Sequence, residues 1–190
     1  MITTVDVETS WQVTSTGGYD PSPFHPDNIL VSVGINDEYY FTNHSERIDK
    51  GCYHNIQSIL DKTTLLIGHN LKFDLMWLLE SGFKYNGRVY DTMLGEYILN
   101  RGIRKSLTLE MSCRRRRIGS KDSRIKEFTD RGIPFQNIPV GLVEEYGKMD
   151  VQITRDLFNS QMSDFKMPKN KHLLKTAKMM NEFLVVLSDM

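Results

Sequence analysis

The stretch Ile2 to Ser10, Ile-Thr-Thr-Val-Asp-Val-Glu-Thr-Ser, constrains this chain more than any other. Its β-branched residues favour an extended strand, and the alternation of side chains along a strand puts Asp6 and Glu8 on one face. Two carboxylates side by side repel each other. A divalent cation between them removes the repulsion, and hard carboxylate oxygens suit Mg²⁺ or Mn²⁺. An isolated Asp-x-Glu also has a plainer reading, a strand end with two hydrated acids, so the pair gains meaning only if further acids face it.

Length and composition narrow the setting. A chain of 190 residues, 39% apolar and 25% charged, has room for one well-cored domain with an appendage and is not disordered in character. No segment approaches the roughly 20 uninterrupted apolar residues of a membrane span, and the strand pattern starts directly after Met1, so no membrane contact and a cytoplasmic location are expected. Cys52 and Cys113 have no zinc-type spacing and read as free thiols. The zero net charge hides an asymmetry: from Arg101 to Arg131 eleven Lys or Arg stand against four Asp or Glu, a balance of +7 that leaves −7 for the remainder. Such a block either attracts a polyanion or forms a solvated face.

After the first strand, residues 11 to 28 carry Gly17, Gly18, Pro21, Pro23 and Pro26 and read as a long loop, whose Trp11, Tyr19 and Phe24 either stack on bases or pin the loop to the domain. Ile29 to Ile35 and Glu38 to Thr42 read as strands joined by Asn36-Asp37, giving a meander with the first. A helix over Cys52 to Leu60 and a buried strand over Thr64 to Gly68 follow. Leu71 to Glu80 has helical spacing, with Asn70 able to cap it. Asp74, one turn on, lies on the Asn70 side, where it either addresses a common site with Asn70 or faces water.

A strand ending at Asp91 leads into a helix over Thr92 to Asn100 that Asp91 caps. Ser106 to Arg117 reads as helical and ends in an arginine run, and Gly119 to Ile133 reads as a mobile basic loop. Pro139 suits a helix start, and Leu142, Tyr146, Met149, Ile153 and Leu157 form an apolar stripe beyond it, with Tyr146 and Asp150 one turn apart.

Asp6-x-Glu8, Asn70-x-x-x-Asp74 and Tyr146-x-x-x-Asp150 together offer four carboxylates from one strand and two helices, the complement a two-metal phosphodiesterase uses. With Ile-Gly-His-Asn-Leu-Lys-Phe-Asp ending at Asp74, Asp-Thr-Met-Leu from Asp91 and Tyr-Gly-Lys-Met-Asp ending at Asp150, the chain resembles the DEDDy 3′-to-5′ exonucleases. More specifically it is similar to the proofreading domain of family A DNA polymerases, and to a phage-like one, over roughly residues 1 to 161.

The resemblance implies an α/β fold of the ribonuclease H-like kind, a mixed five-stranded sheet flanked by helices. It implies two Mg²⁺ (or Mn²⁺) about 4 Å apart, one held by Asp6, Glu8 and Asp150 and the second by Asp6 and Asp74. Tyr146 would orient the attacking water, and Asn70 and Thr9 would hold the terminal nucleotide. The implied substrate is a single-stranded or frayed 3′ end of DNA, and the implied setting is proofreading beside a family A polymerase domain in cis or in trans, in the host cytoplasm if phage-encoded. The Pro-rich loop and the arginines are not part of the family motif. Arg114, Arg115, Arg116 and Arg117 are expected to contact the strand's phosphates on grounds of charge alone. Two other functions stand beside this one: an RNA 3′-end-trimming exonuclease with the same metal site, and a nucleic-acid-binding module without catalysis, against which the presence of all four acids and the tyrosine weighs.

The expected organisation is an exonuclease domain over residues 1–162 and an appendage over 163–190. In the appendage a polar break containing Pro168 precedes a helix from His172 to Met190, with Leu173, Leu174, Ala177, Phe183, Leu184 and Leu187 apolar. By the resemblance that helix leads toward a missing polymerase domain; the other reading folds it back on its own domain.

Overall fold

Ile2–Thr9 forms β1, the central strand of a five-stranded sheet, in the computed structural model, which describes residues 1–119 and 124–188. β2 (Gln12–Val13) and β3 (Tyr19–Asp20) make a separate small ribbon. β4 (Leu30–Ile35) pairs antiparallel with β1, and β5 (Glu38–Phe41) antiparallel with β4. On the other side β6 (Leu65–Gly68) runs parallel to β1, and β7 (Arg88–Asp91) parallel to β6, so the order is β5-β4-β1-β6-β7. The antiparallel half closes through a two-residue turn in which Asn36 takes a left-handed φ of 55° while its Oδ1 accepts the Thr4 N–H at 3.0 Å. The parallel half needs crossovers, supplied by α1 (Cys52–Lys62) and α2 (Leu71–Glu80). This is the α/β, ribonuclease H-like mixed sheet that the resemblance implied.

Alternation along β1 divides the molecule. Val5 and Val7 point into the main core with Leu30, Val33 and Ile35 of β4, Ile56 and Leu60 of α1, and Leu71, Leu75 and Leu78 of α2. Each such burial contributes about 1.5–3 kcal/mol before conformational entropy is set against it. The opposite face carries Asp6 and Glu8. It is covered by α6 (Val140–Lys166), against which α3 (Thr92–Leu99) and α4 (Leu109–Arg116) pack.

Several expectations are corrected. The segment 11–28 holds the β2–β3 ribbon, because Trp11 meets Tyr19 and Phe135 edge-on at 5.6 and 5.9 Å and Trp77 Nε1–H donates to Pro21 O at 3.0 Å. Trp11 therefore pins the segment, while Tyr19, packed on Trp11 within it, and Phe24 are exposed. The expected loop 119–133 contains α5 (Arg124–Thr129), whose Ile125 is buried among Phe41, Ile138 and Val143; residues 120–123 of it lie outside the described residues. Two apolar side chains three apart, Ile125 and Phe128, suffice to seat one face of an otherwise charged segment. The apolar stripe on α6 holds at Tyr146, Ile153 and Leu157 and fails at two positions: Met149 is exposed and Leu142 half-exposed, and Val143, Gly147, Asp150, Val151 and Thr154 complete the inward line.

α6 runs unbroken past residue 162 to Lys166, so the expected domain boundary falls inside a helix. α7 (Leu173–Ser188) then lies along α3, β7 and α2 instead of projecting away; residues 189 and 190 are outside the described residues. β7 is an edge strand with an open row of backbone groups. Asn181 Oδ1 accepts the Asp91 N–H at 2.6 Å and Leu184 enters the main core, so α7 covers that edge. Among the described residues no helix is long and apolar enough to cross a membrane.

Candidate active site

Asp6 and Glu8 leave β1 on the α6 face, opposite Gly34 and Ser32 of β4. Glu8 is buried and Asp6 half-buried. The register with β4 slips between Glu8 and Thr9, a bulge that turns the strand end where the acids sit. Thr9, expected near the terminal nucleotide, is buried at this bulge.

Asp74 comes from the first turn of α2 and is 3% exposed. Its Oδ1 accepts the Val7 N–H at 3.0 Å, which locks the helix acid to the residue between Asp6 and Glu8. Burial pushes its carboxyl well above the usual carboxylate range, and Asp6 adds to the rise. Asp150, from the middle of α6, is 2% exposed, and the Tyr146 hydroxyl one turn earlier is hydrogen-bonded to its side chain. Tyr146 is itself pushed far up by burial, then by the charges of Glu8, Asp150 and Asp6. Buried Tyr39 of β5 is raised by burial, then by Glu8, with smaller effects of Asp6 and Asp150. The same three acids act on both tyrosines, so they face one space, and Asp74 joins them through Asp6. With its proton held this firmly, Tyr146 is a hydrogen-bond donor and not a base at neutral pH.

Asn70 departs from its expected capping role. It begins α2 with a left-handed φ of 61° and makes no side-chain cap; its side chain is exposed at the helix start. The acceptor is Asp91, whose Oδ1 takes the Asn70 N–H at 2.9 Å and the Met93 N–H at 2.8 Å, capping α2 and α3 together. Burial raises the Asp91 carboxyl to about 6. Sequence reasoning placed Asp91 as the cap of α3 and missed its second role, which depends on two helices starting at adjacent ends of parallel strands. His69 was missed as well: its ring bonds Thr92 Oγ1 and Leu107 O, both at 2.8 Å, and ties the loop before α4 to the start of α3.

The arginine run divides. Arg115 reaches Glu96 at 3.2 Å, and Arg116 reaches Glu96 at 2.8 Å and Asp164 at 2.6 Å. Glu96 is buried, so these two cations serve the packing of α3, α4 and α6, which corrects their expected role as phosphate contacts. Arg114 and Arg117 are exposed beside a shallow cleft with Glu110, Ile118 and Gly119.

Asp6, Glu8, Asp74 and Asp150 form an all-oxygen donor set of the kind hard divalent cations take, and their mutual repulsion is what such cations would relieve. Among the described residues, no three Asp, Glu, His or Cys side chains have closed to ligating distance. In chemistry and charge the set suits Mg²⁺ or Mn²⁺.

A family model described as 3′-5′ exonuclease matches residues 23–164. That span includes Asn70, Asp74, Tyr146 and Asp150 and starts beyond Asp6 and Glu8. No curated protein matches the chain in sequence. Among solved structures, NrnC of Brucella melitensis with bound Mg²⁺ superposes with a TM-score of 0.70 at 18% identity, over 99% of this chain and 83% of that one. The same protein bound to pGG gives 0.69 at 20% over the same shares. The catalytic core of RRP6 from Trypanosoma brucei gives 0.63 at 11%, over 96% and 45%. The family B DNA polymerase of Pyrobaculum calidifontis gives 0.62 at 15%, over 85% and 24%. At these identities the likeness is one of fold.

Proposed function

We propose, from the premise that this chain belongs to the 3′-5′ exonuclease family, that it releases nucleoside 5′-monophosphates from single-stranded or frayed 3′ ends of DNA. The observation that carries the reading is the convergence of Asp6, Glu8 and Asp150 on Tyr146, with Asp74 tied to the same strand through Val7. Asp6, Glu8, Asp74 and Asp150 would hold two Mg²⁺ (or Mn²⁺). When bound, these ions supply Lewis acidity toward the scissile phosphate and lower the pKa of the attacking water. Tyr146, protonated and hydrogen-bonded to Asp150, orients that water without removing its proton. Exposed Asn70 offers an amide to the sugar and phosphate of the terminal nucleotide. Nothing in this set reads base identity, as an enzyme that must accept every base requires.

Proofreading beside a family A polymerase domain, in a cytoplasmic setting, is the biological role this reading favours; its support is the combined order of the three motifs. A second reading, trimming of RNA 3′ ends, is favoured by the fold likeness to NrnC, a protein seen bound to pGG. Matched DNA and RNA oligonucleotides, incubated with Mg²⁺ or with chelator, test both. Mononucleotides released faster from DNA in Mg²⁺ alone are the expected result, a strong RNA preference selects the second reading, and chelator-resistant or internal cleavage overturns both.

A further inference from the structure

Tyr39 belongs to none of the motifs, yet it lies under the site. A cross-strand row runs Asp6, Gly34, Tyr39 on the acid-bearing face, through the β1–β4 and β4–β5 pairings. The tyrosine is 7% exposed, and its hydroxyl is 2.8 Å from Oγ of Ser32, the residue paired with Glu8. Two glycines make room for the ring. A Cβ on Gly147 of α6 would stand 2.3 Å from the ring and 2.5 Å from the hydroxyl oxygen; one on Gly34 would stand 3.2 Å from the ring and 2.8 Å from Val151 of α6. Gly147 lies in the turn between Tyr146 and Asp150, so the ring meets α6 at the point from which both functional side chains depart.

We propose that Tyr39 is a positioning residue of the exonuclease centre: received by Gly34 and Gly147, its ring sets how deeply α6 seats on the sheet, and so how far Tyr146 and Asp150 reach toward Asp6 and Glu8. This rests on the exonuclease reading above. The physical reason is close packing. An interior at crystal-like density has no slack to absorb a methyl group at 2.3 Å, so either the ring or the helix must move. The ring is held by its bond to Ser32 and its edge-on contact with Phe41 at 5.3 Å, which leaves the helix to yield. A displacement near 1 Å in a catalytic constellation costs about 10²-fold in rate. The hydroxyl is bonded to Ser32 and, far from giving up its proton beside Glu8, adds no fourth charge to the three acids around it.

The test uses the full chain and four variants: Gly147→Ala, Tyr39→Leu, the double Gly147→Ala/Tyr39→Leu, and Tyr39→Phe. Three quantities are read: kcat and KM on a single-stranded DNA oligonucleotide at saturating Mg²⁺, the Mn²⁺ concentration that half-saturates thermal stabilisation, and Tm without metal. Gly147→Ala should lower kcat about 10²-fold with KM little changed and should raise the half-saturating Mn²⁺ concentration. Tyr39→Leu, which leaves the helix unsupported, should lower kcat about tenfold, and Tyr39→Phe, which keeps the ring, only a few-fold. The double variant should regain at least about tenfold in kcat over Gly147→Ala, because the smaller side chain makes room for the methyl group.

A purely structural role would lower Tm and leave kcat per folded molecule and the Mn²⁺ response at wild-type values; that result in Gly147→Ala, or a double variant no better than the product of the singles, overturns the proposal. Should Gly147→Ala fail to fold, unchanged kcat and Mn²⁺ response in Tyr39→Leu overturn it equally. A wild-type protein inactive on every DNA and RNA 3′ end would instead overturn the exonuclease reading, while the Mn²⁺ midpoints of the variants still decide whether Tyr39 positions the acids.

Discussion

Val7 donates its backbone N–H to Asp74 Oδ1 at 3.0 Å, joining the acid of α2 to the one β1 residue that lies between Asp6 and Glu8. The first turn of α2 is thereby fixed to the strand that carries the other two acids. The bond also commits one oxygen of Asp74 and holds the carboxyl close to Asp6, whose charge helps to raise its pKa.

Substitutions at the acids should separate catalysis from stability. Asp6→Ala and Asp150→Ala are expected to lower mononucleotide release by about 10³-fold or more while the fold survives. Without metal their Tm should stay level or rise, since each removes a like charge from the cluster. Asp74→Ala should melt lower than Asp74→Asn, because it leaves the buried Val7 N–H without its acceptor, a cost of about 1–3 kcal/mol. Tyr146→Phe should be milder than any of these in rate, about tenfold, because the acids stay in place. Release assays in Mg²⁺ and melting curves with and without it check all five variants; full activity in Asp6→Ala would show that the site is misassigned.

The four consecutive arginines should behave as two pairs. Arg116→Ser leaves Glu96, buried at 3% exposure, with one cation fewer and should cost about 3 kcal/mol in unfolding free energy, with Arg115→Ser less because Arg115 is the more exposed. Arg114→Ser and Arg117→Ser should leave Tm unchanged, raise KM for a long strand, and flatten the salt dependence of binding by about one phosphate contact each. Urea unfolding and binding across a salt series distinguish them, and an unchanged salt slope would return Arg114 and Arg117 to plain solvated surface.

Asp91 predicts a pH dependence of stability. Its carboxyl titrates near 6 in the folded protein against about 4 in an unfolded chain, so the folded state binds the extra proton between these values. A raised carboxyl contributes stability that is fully present below about pH 4 and lost as pH rises through about 6. The loss is on the order of 3 kcal/mol for a group this deeply buried. Metal-free wild type should therefore lose stability across this window, and Asp91→Asn, neutral throughout, should show a smaller slope there. Equal slopes in chemical denaturation from pH 4 to 7 would exclude Asp91 as the source.

Removing residues 171–190 should cost cooperative stability. The deletion takes away Leu184 from the main core, the Asn181 acceptor for Asp91 N–H, and the cover over the β7 edge. A broadened melt, a Tm lower by several degrees and a tendency to associate through the uncovered strand are expected. A truncated protein that melts as sharply and as high as the full chain would assign α7 to a function outside this domain, which is what a helix leading to a polymerase part would require.

Local patterns carried much of this in the sequence itself. The i, i+2 relation of Asp6 and Glu8 and the i, i+4 relations of Asn70 with Asp74 and of Tyr146 with Asp150 are fixed by strand and helix periodicity, and α2 begins and ends where its spacing said it would. Tertiary structure decided what periodicity cannot express. The inward line of α6 begins with Val143, Gly147 and Asp150 beside Tyr146, instead of the more apolar Leu142 and Met149, because that helix faces a carboxylate cluster and the Tyr39 ring, where hydrophobicity is the wrong criterion. Arg115 and Arg116 became structural only when α3 brought Glu96 beside them, nineteen and twenty residues earlier in the chain. Asp91 caps two helices because parallel strands end side by side, and Asn181 meets it from ninety residues away. The chain's own order of residues determined which groups share a face. The folded sheet alone determined which faces meet, since contacts between distant segments have no local periodicity to announce them.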